Sequence, residues 1–321
     1  MRTALGRVDE ASLDYATADA RFASAQLPQE RGLNAIGWVN CLSLRGELKH
    51  ARRLARSAER WLGRRDGLSR GRLRANLANA FYRQGQFEEA AAGYRRARDR
   101  FRRADYLADA ALCAYNLANC HVRLARLSPA RPLYEEALAV YRERGFTSNV
   151  LHARYALAAL DLMEGRWDEG NRELRAIDAA AEELGDRRLR AAIQREMAGL
   201  FVALGDHTRA ERAATLALEG FESLGLRDEA AHTRHLRALL LMETDRLTEA
   251  DGELARCARY WNSTGHRRAG QRGRLERARV DVARRRWDAA EATARPLQRA
   301  LDGWDRAGLG AECRALRAEI Q

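Results

Sequence analysis

Residues Ala75 to Ala97 read ANLANAFYRQGQFEEAAAGYRRA, and two helical patterns meet in them at Gln84-Gly85. Leu77, Ala78 and Phe81 recur at the spacing of one apolar helix face; after the glycine, Phe87, Ala90, Tyr94 and Ala97 do the same. Gly85 suits the turn because glycine tolerates the left-handed backbone that ends a helix. The stretch predicts a helical hairpin, and the hairpin recurs.

Its turn segment returns as Gly6-Arg-Val-Asp-Glu-Ala11, Gly46-Glu-Leu-Lys-His-Ala51, Ala125-Arg-Leu-Ser-Pro-Ala130 and Gly165-Arg-Trp-Asp-Glu-Gly170. Gly205-Asp-His-Thr-Arg-Ala210, Asp245-Arg-Leu-Thr-Glu-Ala250 and Arg285-Arg-Trp-Asp-Ala-Ala290 complete the series. The period is about forty residues, with one single-residue slip between Gly46 and Gly85. A second register falls half a period away, at Gly145, Gly185, Gly225 and Gly265, each closing a second helix. The small sixth place (Ala51, Ala90, Ala130, Gly170, Ala210, Ala250, Ala290) lets two helices approach closely. The bulky third place (Leu48, Phe87, Leu127, Trp167, Leu247, Trp287) is expected to plug the gap beneath the turn, and His207 departs from it. Packing also accounts for Phe81, Tyr94 and Tyr134, so these aromatics read as core and not as base-stacking platforms. A unit of this kind cannot bury its face alone, so neighbours stack into a continuous core.

Asn76-Leu-Ala-Asn-Ala-Phe-Tyr-Arg-Gln-Gly-Gln-Phe-Glu-Glu-Ala90 resembles the tetratricopeptide (TPR) repeat, and Tyr115-Asn-Leu-Ala-Asn119 repeats its first half. The match covers essentially the whole chain, strongly over 68–145 and more loosely after 230. The long period is similar to the TPR variety of kinesin light chains, bacterial signalling ATPases and arrays beside caspase-like (CHAT) peptidase domains. The resemblance implies an all-α, right-handed α-solenoid (superhelix) of antiparallel helix pairs, whose first helices line a concave groove for peptides or proteins.

One kind of repeat in 321 residues predicts a single extended domain. It divides into a half repeat (1–27), helical pairs at 30–67, 68–105, 106–146, 147–186, 187–226, 227–266 and 267–307, and a C-terminal helix at 308–321. The leading half repeat lacks room for its first helix, so the sequence reads as an excised or truncated array. No run of about eighteen apolar residues marks a membrane span, no apolar signal core stands at the N-terminus, and a cytoplasmic setting is the default expectation. The five cysteines show no metal or redox spacing and read as small core residues. His232-x-x-His235 lacks a third ligand and reads as a solvated pair, so neither metal nor cofactor is expected. Net charge is +12, and Lys49 is the one lysine among the bases. Residues 51–100 carry +9, residues 251–300 carry +7, and the middle, 151–250, carries −5.

Several local features carry their own expectations. Pro28 precedes a first helix near 30–45, residues 63–69 form a loop, and Ser128-Pro129 starts a helix with serine as its cap. Pro132 fits that first turn, and Pro296 should kink the last second helix. Arg237 and Arg277 stand where other repeats hold Leu77, Leu117, Leu157 and Met197, so either those helices rotate or the arginines snorkel.

No phosphate loop, nucleophile elbow or strand pattern is present, so the chain is expected not to be an enzyme. The resemblance places positions equivalent to 72, 75, 76, 79, 82 and 83 on the concave side. They supply Arg72, Asn76, Asn79, Tyr82 and Arg83, then Tyr115, Asn116, Asn119 and Arg123, with His152, Tyr155, Arg195 and His235 beyond. Asn40 aligns with Asn79 and Asn119 in a three-repeat row. Asparagine is both donor and acceptor, so it can pair with a peptide's own amides, while arginines favour its carboxylates. The same asparagines could instead bond within or between repeats and set the stacking. The expected partner is a protein or peptide, with a peptidase or ATPase domain in the same or a neighbouring polypeptide as a further one. RNA or DNA bound by the basic 51–103 and 256–299 surfaces is the second choice.

Overall fold

The computed structural model describes residues 2–63, 66–264, 266–303, 305 and 308–320, in which every regular element is an α-helix. Contacts divide the chain into two compact units, Met1–Glu173 and Leu174–Gln321. The first holds α1 (Arg2–Ser24), α2 (Pro28–Leu44), α3 (Leu48–Trp61), α4 (Gly67–Arg83), α5 (Phe87–Arg103), α6 (Leu107–Arg123), α7 (Ala130–Glu143) and α8 (Thr147–Met163). The boundary falls within α9 (Trp167–Glu183). The second unit continues with α10 (Arg187–Ala203), α11 (His207–Ser223), α12 (Arg227–Glu243), α13 (Leu247–Thr264), α14 (Arg267–Ala283), α15 (Trp287–Asp302) and α16 (Leu309–Ile320). Within each unit every helix packs on its sequence neighbours, and first helices also touch first helices, as in α2 with α4 and α14 with α16.

The turns share one geometry. Gly46, Gly85, Gly145, Gly165, Gly185, Gly205 and Gly225 have positive φ, and so do Gln26, Asp105, Ala125, Asp245 and Arg285. The residue after each accepts the same role: the Gln86 amide reaches Phe81 O at 2.9 Å and the Arg126 amide reaches His121 O at 2.8 Å. These bonds satisfy carbonyls that a helix end leaves orphaned. Gly265 lies outside the described residues. Gly6 makes no turn, since α1 runs through it.

Close approach follows from the small sixth place: Ala51, Ala90, Ala130, Ala210, Ala250 and Ala290 are all 0% exposed. A second contact, in five of the repeats, seats a large residue at the end of the second helix on a small one early in the first. A Cβ on Gly71 would lie 2.7 Å from Phe101, and one on Gly32 would lie 2.7 Å from Leu62. Ala111 with Tyr141, Ala191 with Phe221 and Ala231 with Trp261 repeat the arrangement.

Some expectations change. Trp167 and Trp287 begin their helices and are 43% and 44% exposed, so the third place is an edge position for tryptophan and not a plug. The loop before α4 ends at Asp66, whose carboxylate accepts the Ser69 amide at 2.9 Å, so Gly67 is already helical. Ser128 does not cap α7, which begins at Ala130 after Pro129 and keeps Pro132 in its first turn. Arg277 snorkels to Asp251 at 2.7 Å, whereas Arg237 stays half-buried, 3.3 Å from the buried Glu253, with its Nε buried and without a hydrogen-bond partner. His232 and His235 are half-buried against Trp261, with centroids at 5.3 and 5.8 Å, and are not a solvated pair. No helix among the described residues is long and apolar enough to cross a membrane.

All five cysteines are free and buried, and burial pushes the Cys113, Cys120 and Cys257 thiols up to about 12. A thiol raised in the folded state contributes stability below its unfolded pKa and loses it as pH rises toward the folded value. The urea midpoint should therefore fall between about pH 9 and 12, and less so in a Cys113→Ala/Cys120→Ala/Cys257→Ala variant. Turn strain gives a second test. Ala125→Gly and Arg285→Gly should each raise stability by about 1 kcal/mol in urea unfolding, and Gly85→Ala should lower it by about as much. A Cβ at Gly85 meets nothing within 4 Å, so that cost is backbone strain alone.

Candidate functional site

The asparagine row sits on the first helices of the first unit, with Asn40 on α2, Asn79 on α4 and Asn119 on α6. Its chemistry is set by the second helices. The Tyr94 hydroxyl, on α5, donates to Asn79 Oδ1 at 2.5 Å, and the Tyr134 hydroxyl, on α7, donates to Asn119 Oδ1 at 2.6 Å. Both phenols are only 3% exposed, and burial drives their pKa far above the ordinary tyrosine value, so they remain donors. With each Oδ1 engaged from below, the two amide N–H groups of Asn79 and Asn119 keep no partner among the described residues. Each asparagine becomes a fixed donor.

The other members of the row behave differently. Asn40 is exposed, and the place of Tyr94 is taken on α3 by Ala55, so no phenol orients it. Asn76 turns inward: its Nδ2 donates to Ile36 O at 2.9 Å and ties α4 to α2, which is the stacking role. Asn116, one repeat on, makes no such bond. Around them Arg72 and Arg83 are exposed, with no carboxylate partner among the described residues. Arg123 is exposed too and lies over the Phe87 ring at 5.2 Å. Tyr82 meets Phe87 edge-on at 5.3 Å, Tyr115 leans on Tyr134 at 5.4 Å, and Tyr155 and His152 are half-buried. Leu112, one repeat after Arg72, is 48% exposed and adds an apolar spot.

The second unit carries no such row. Gly199, Leu239 and Arg279 occupy the asparagine place. Arg195 is engaged by Glu196 at 3.2 Å and lies over Phe221 at 5.6 Å. His235 is held against Trp261, and burial lowers its pKa. Here the arginines find acids: Glu253 and Glu276 are 6% and 3% exposed. Arg234 binds Glu253 at 2.7 Å, while Arg279 binds Glu276 and Glu312, both at 3.0 Å. A recess of about 440 Å³ between α14 and α16, lined by Arg279, Val282, Glu312 and Leu316, is thus electrostatically closed on itself. No group of three or more His, Cys, Asp or Glu could hold a metal among the described residues.

Sequence reasoning placed Asn79 and Asn119 on the face and Tyr94 and Tyr134 in the core, and missed that they are one device. The signal was available: the tyrosine follows the asparagine by fifteen residues in two repeats, and the later repeats lack both.

Residues 69–143 match the tetratricopeptide repeat family. No curated protein matches the chain. Among solved structures, the chain is similar to NprR in complex with its cognate peptide NprX, with TM-score 0.70 and 13% identity over 98% of this chain and 97% of that one. A Rap protein complexed with competence and sporulation factor gives TM-score 0.65 and 12% identity, over 98% and 99% of the two chains. A signal-transduction ATPase with a tetratricopeptide repeat sensor, from Pyrococcus horikoshii, gives TM-score 0.56 and 13% identity over 97% of this chain and 49% of that one. At these identities the likeness establishes the fold.

Removing one phenol tests the device. Tyr94→Phe should cost about 1 kcal/mol of stability and release the Asn79 side-chain amide, seen as narrowed dispersion of its N–H₂ resonances. Unchanged Asn79 resonances would mean that the hydroxyl does not orient it.

Proposed function

We propose that this chain, a TPR-like helical solenoid with tetratricopeptide repeats at residues 69–143, binds an extended peptide along a groove lined by its first helices. It is a recognition module and not an enzyme. The observation that carries the reading is the repeated Tyr–Asn pair, at Asn79–Tyr94 and again at Asn119–Tyr134. Two donors fixed one repeat apart suit a ligand whose carbonyls also recur, which is an extended backbone. Asn116 and Asn40 extend the row at either side, and Asn76 holds the helices beneath it in register.

Side-chain preference follows from charge. Arg72, Arg83 and Arg123 are exposed along the row, and none has a carboxylate partner among the described residues, so the groove favours acidic peptides. Tyr82, Tyr115 and Leu112 supply apolar area between them. The similar NprR and Rap structures contain, by their descriptions, a cognate peptide and competence and sporulation factor. That agrees with a peptide ligand here. As a module without catalytic groups, the chain would act as sensor or scaffold arm of a larger bacterial signalling or defence system. Its output would be an ATPase domain, as in the similar sensor-bearing ATPase, or a CHAT peptidase.

Nucleic acid is the second choice. In the basic segment 251–300, Arg256, Arg272, Arg277, Arg279, Arg286 and Arg295 are each engaged by a carboxylate and so are not free to meet a backbone phosphate.

The test is selection from a random library of unstructured peptides, followed by titration of the best binder against variants. Acidic sequences should be enriched. Asn79→Ala with Asn119→Ala should weaken binding about tenfold or more, each lost hydrogen bond being worth about 1 kcal/mol, at unchanged helicity. Unaltered affinity would overturn the groove assignment.

A further inference from the structure

Arginines in this chain recur at fixed places and are usually answered by an acid across the turn to the next repeat. Arg31 on α2 binds Asp19 on α1 through two bonds, at 3.0 and 2.9 Å. Arg190 on α10 binds Asp178, twelve residues earlier, at 3.4 Å. The corresponding residues of the α3–α4 junction are Glu59 and Arg70, counting from the turn glycines on either side. There the pairing fails, because Glu59 binds Arg74 at 2.8 Å. Arg70 keeps no carboxylate among the described residues, and its Nε is buried without a hydrogen-bond partner.

The α4–α5 packing draws further charge to this place. Gly71 lies under Phe101, and a Cβ on Gly67 would lie 3.8 Å from Ala104, so the start of α4 runs beside the end of α5. Arg70 and Arg74 stand near Gly71, and Arg100 and Arg103 flank Phe101. Arg100 is half-buried and has no ion pair among the described residues. Burial, then Arg74, Arg70 and Arg103, hold its pKa below the ordinary arginine value, with Glu59 acting in the opposite sense. Of the nearby acids, Asp66 caps α4 through Ser69 and Asp99 lies 3.6 Å from Arg98, while Asp105 is exposed two residues after Arg103. Around Arg100 stand three more arginines, and the one carboxylate that acts on it, Glu59, is held by Arg74.

We propose that Arg70, Arg74, Arg100 and Arg103 form a binding site for a phosphate group. The planar fork of each guanidinium matches phosphate oxygens, and a dianion with three free acceptors balances the excess charge better than a monoanionic carboxylate. Phe101, the ring between Arg100 and Arg103, is 1% exposed and offers no face for stacking a base. The site is separate from the peptide row and does not depend on it.

Thermal unfolding of the full chain tests this, with inorganic phosphate, pyrophosphate and phosphoserine as probes. Succinate and chloride at matched ionic strength serve as controls. Phosphate probes should raise the midpoint saturably, and the controls should not. Phosphoserine matching inorganic phosphate would point to a phosphorylated side chain as the natural source, and pyrophosphate exceeding both would point to a small polyphosphate. Arg100→Gln should raise the unliganded midpoint by about 2 °C, because like-charge repulsion is relieved, and should abolish the phosphate response. Arg70→Gln should abolish the response as well. No saturable rise, an equal rise with succinate, or an undiminished response in both variants would overturn the proposal. So would a twenty-nucleotide single strand that binds equally well to the wild type and both variants while phosphate does not.

Discussion

Five of the repeats close on a large side chain at the end of the second helix, seated on a glycine or alanine early in the first. Phe101 on Gly71 and Trp261 on Ala231 show the range of sizes used. Burying such a ring contributes about 2–3 kcal/mol, and the small partner is what lets it in. The same ring also faces the following repeat, where Cys113 meets Phe101 and a Cβ on Gly273 would lie 3.5 Å from Trp261. One residue thus sets both the closure of a hairpin and its distance to the next. The asparagine site inherits this order. Tyr94 lies two turns before Phe101 on the same face of α5, so the packing that seats the ring also aims the phenol at Asn79.

Electrostatics separate the two units. In the second, Glu253 and Glu276 are buried among arginines and hold them at short range. In the first, the row Arg72, Arg83, Arg123 has no carboxylate partner among the described residues, and the cluster around Arg100 has Glu59 alone acting on it. Exposed ion pairs contribute little to stability, so the difference bears on what each unit can attract more than on how firmly it folds.

The repeat was legible because its turn chemistry is local: a left-handed residue every half period, a small residue after it, an apolar face on either side. Phase alone then located the same backbone at Ala125, Asp245 and Arg285, residues that by themselves suggest nothing of the kind. Helix starts were less legible where two signals compete, as at Ser128, where Pro129 and Pro132 delay α7 to Ala130. The tryptophans misled because a helix's first residue can lay one ring edge on the core and leave the other in water. At the site, type and place were readable but pairing was not. Asn76 and Asn79 look alike in sequence, yet Asn76 points to a neighbouring backbone and Asn79 to its own repeat's tyrosine. Only the partner across the hairpin separates them.

The fixed amide has a consequence for evolution of the ligand. An asparagine free to flip can offer oxygen or nitrogen, and so accommodates a backbone running in either direction. Tyr94 and Tyr134 remove that freedom by claiming the oxygens. On the proposed reading, the contacts that the two remaining donors would make depend on carbonyl oxygens and not on backbone N–H groups. A depsipeptide or a chain rich in proline, which lacks some of those N–H groups but keeps every carbonyl, would lose nothing at these two positions.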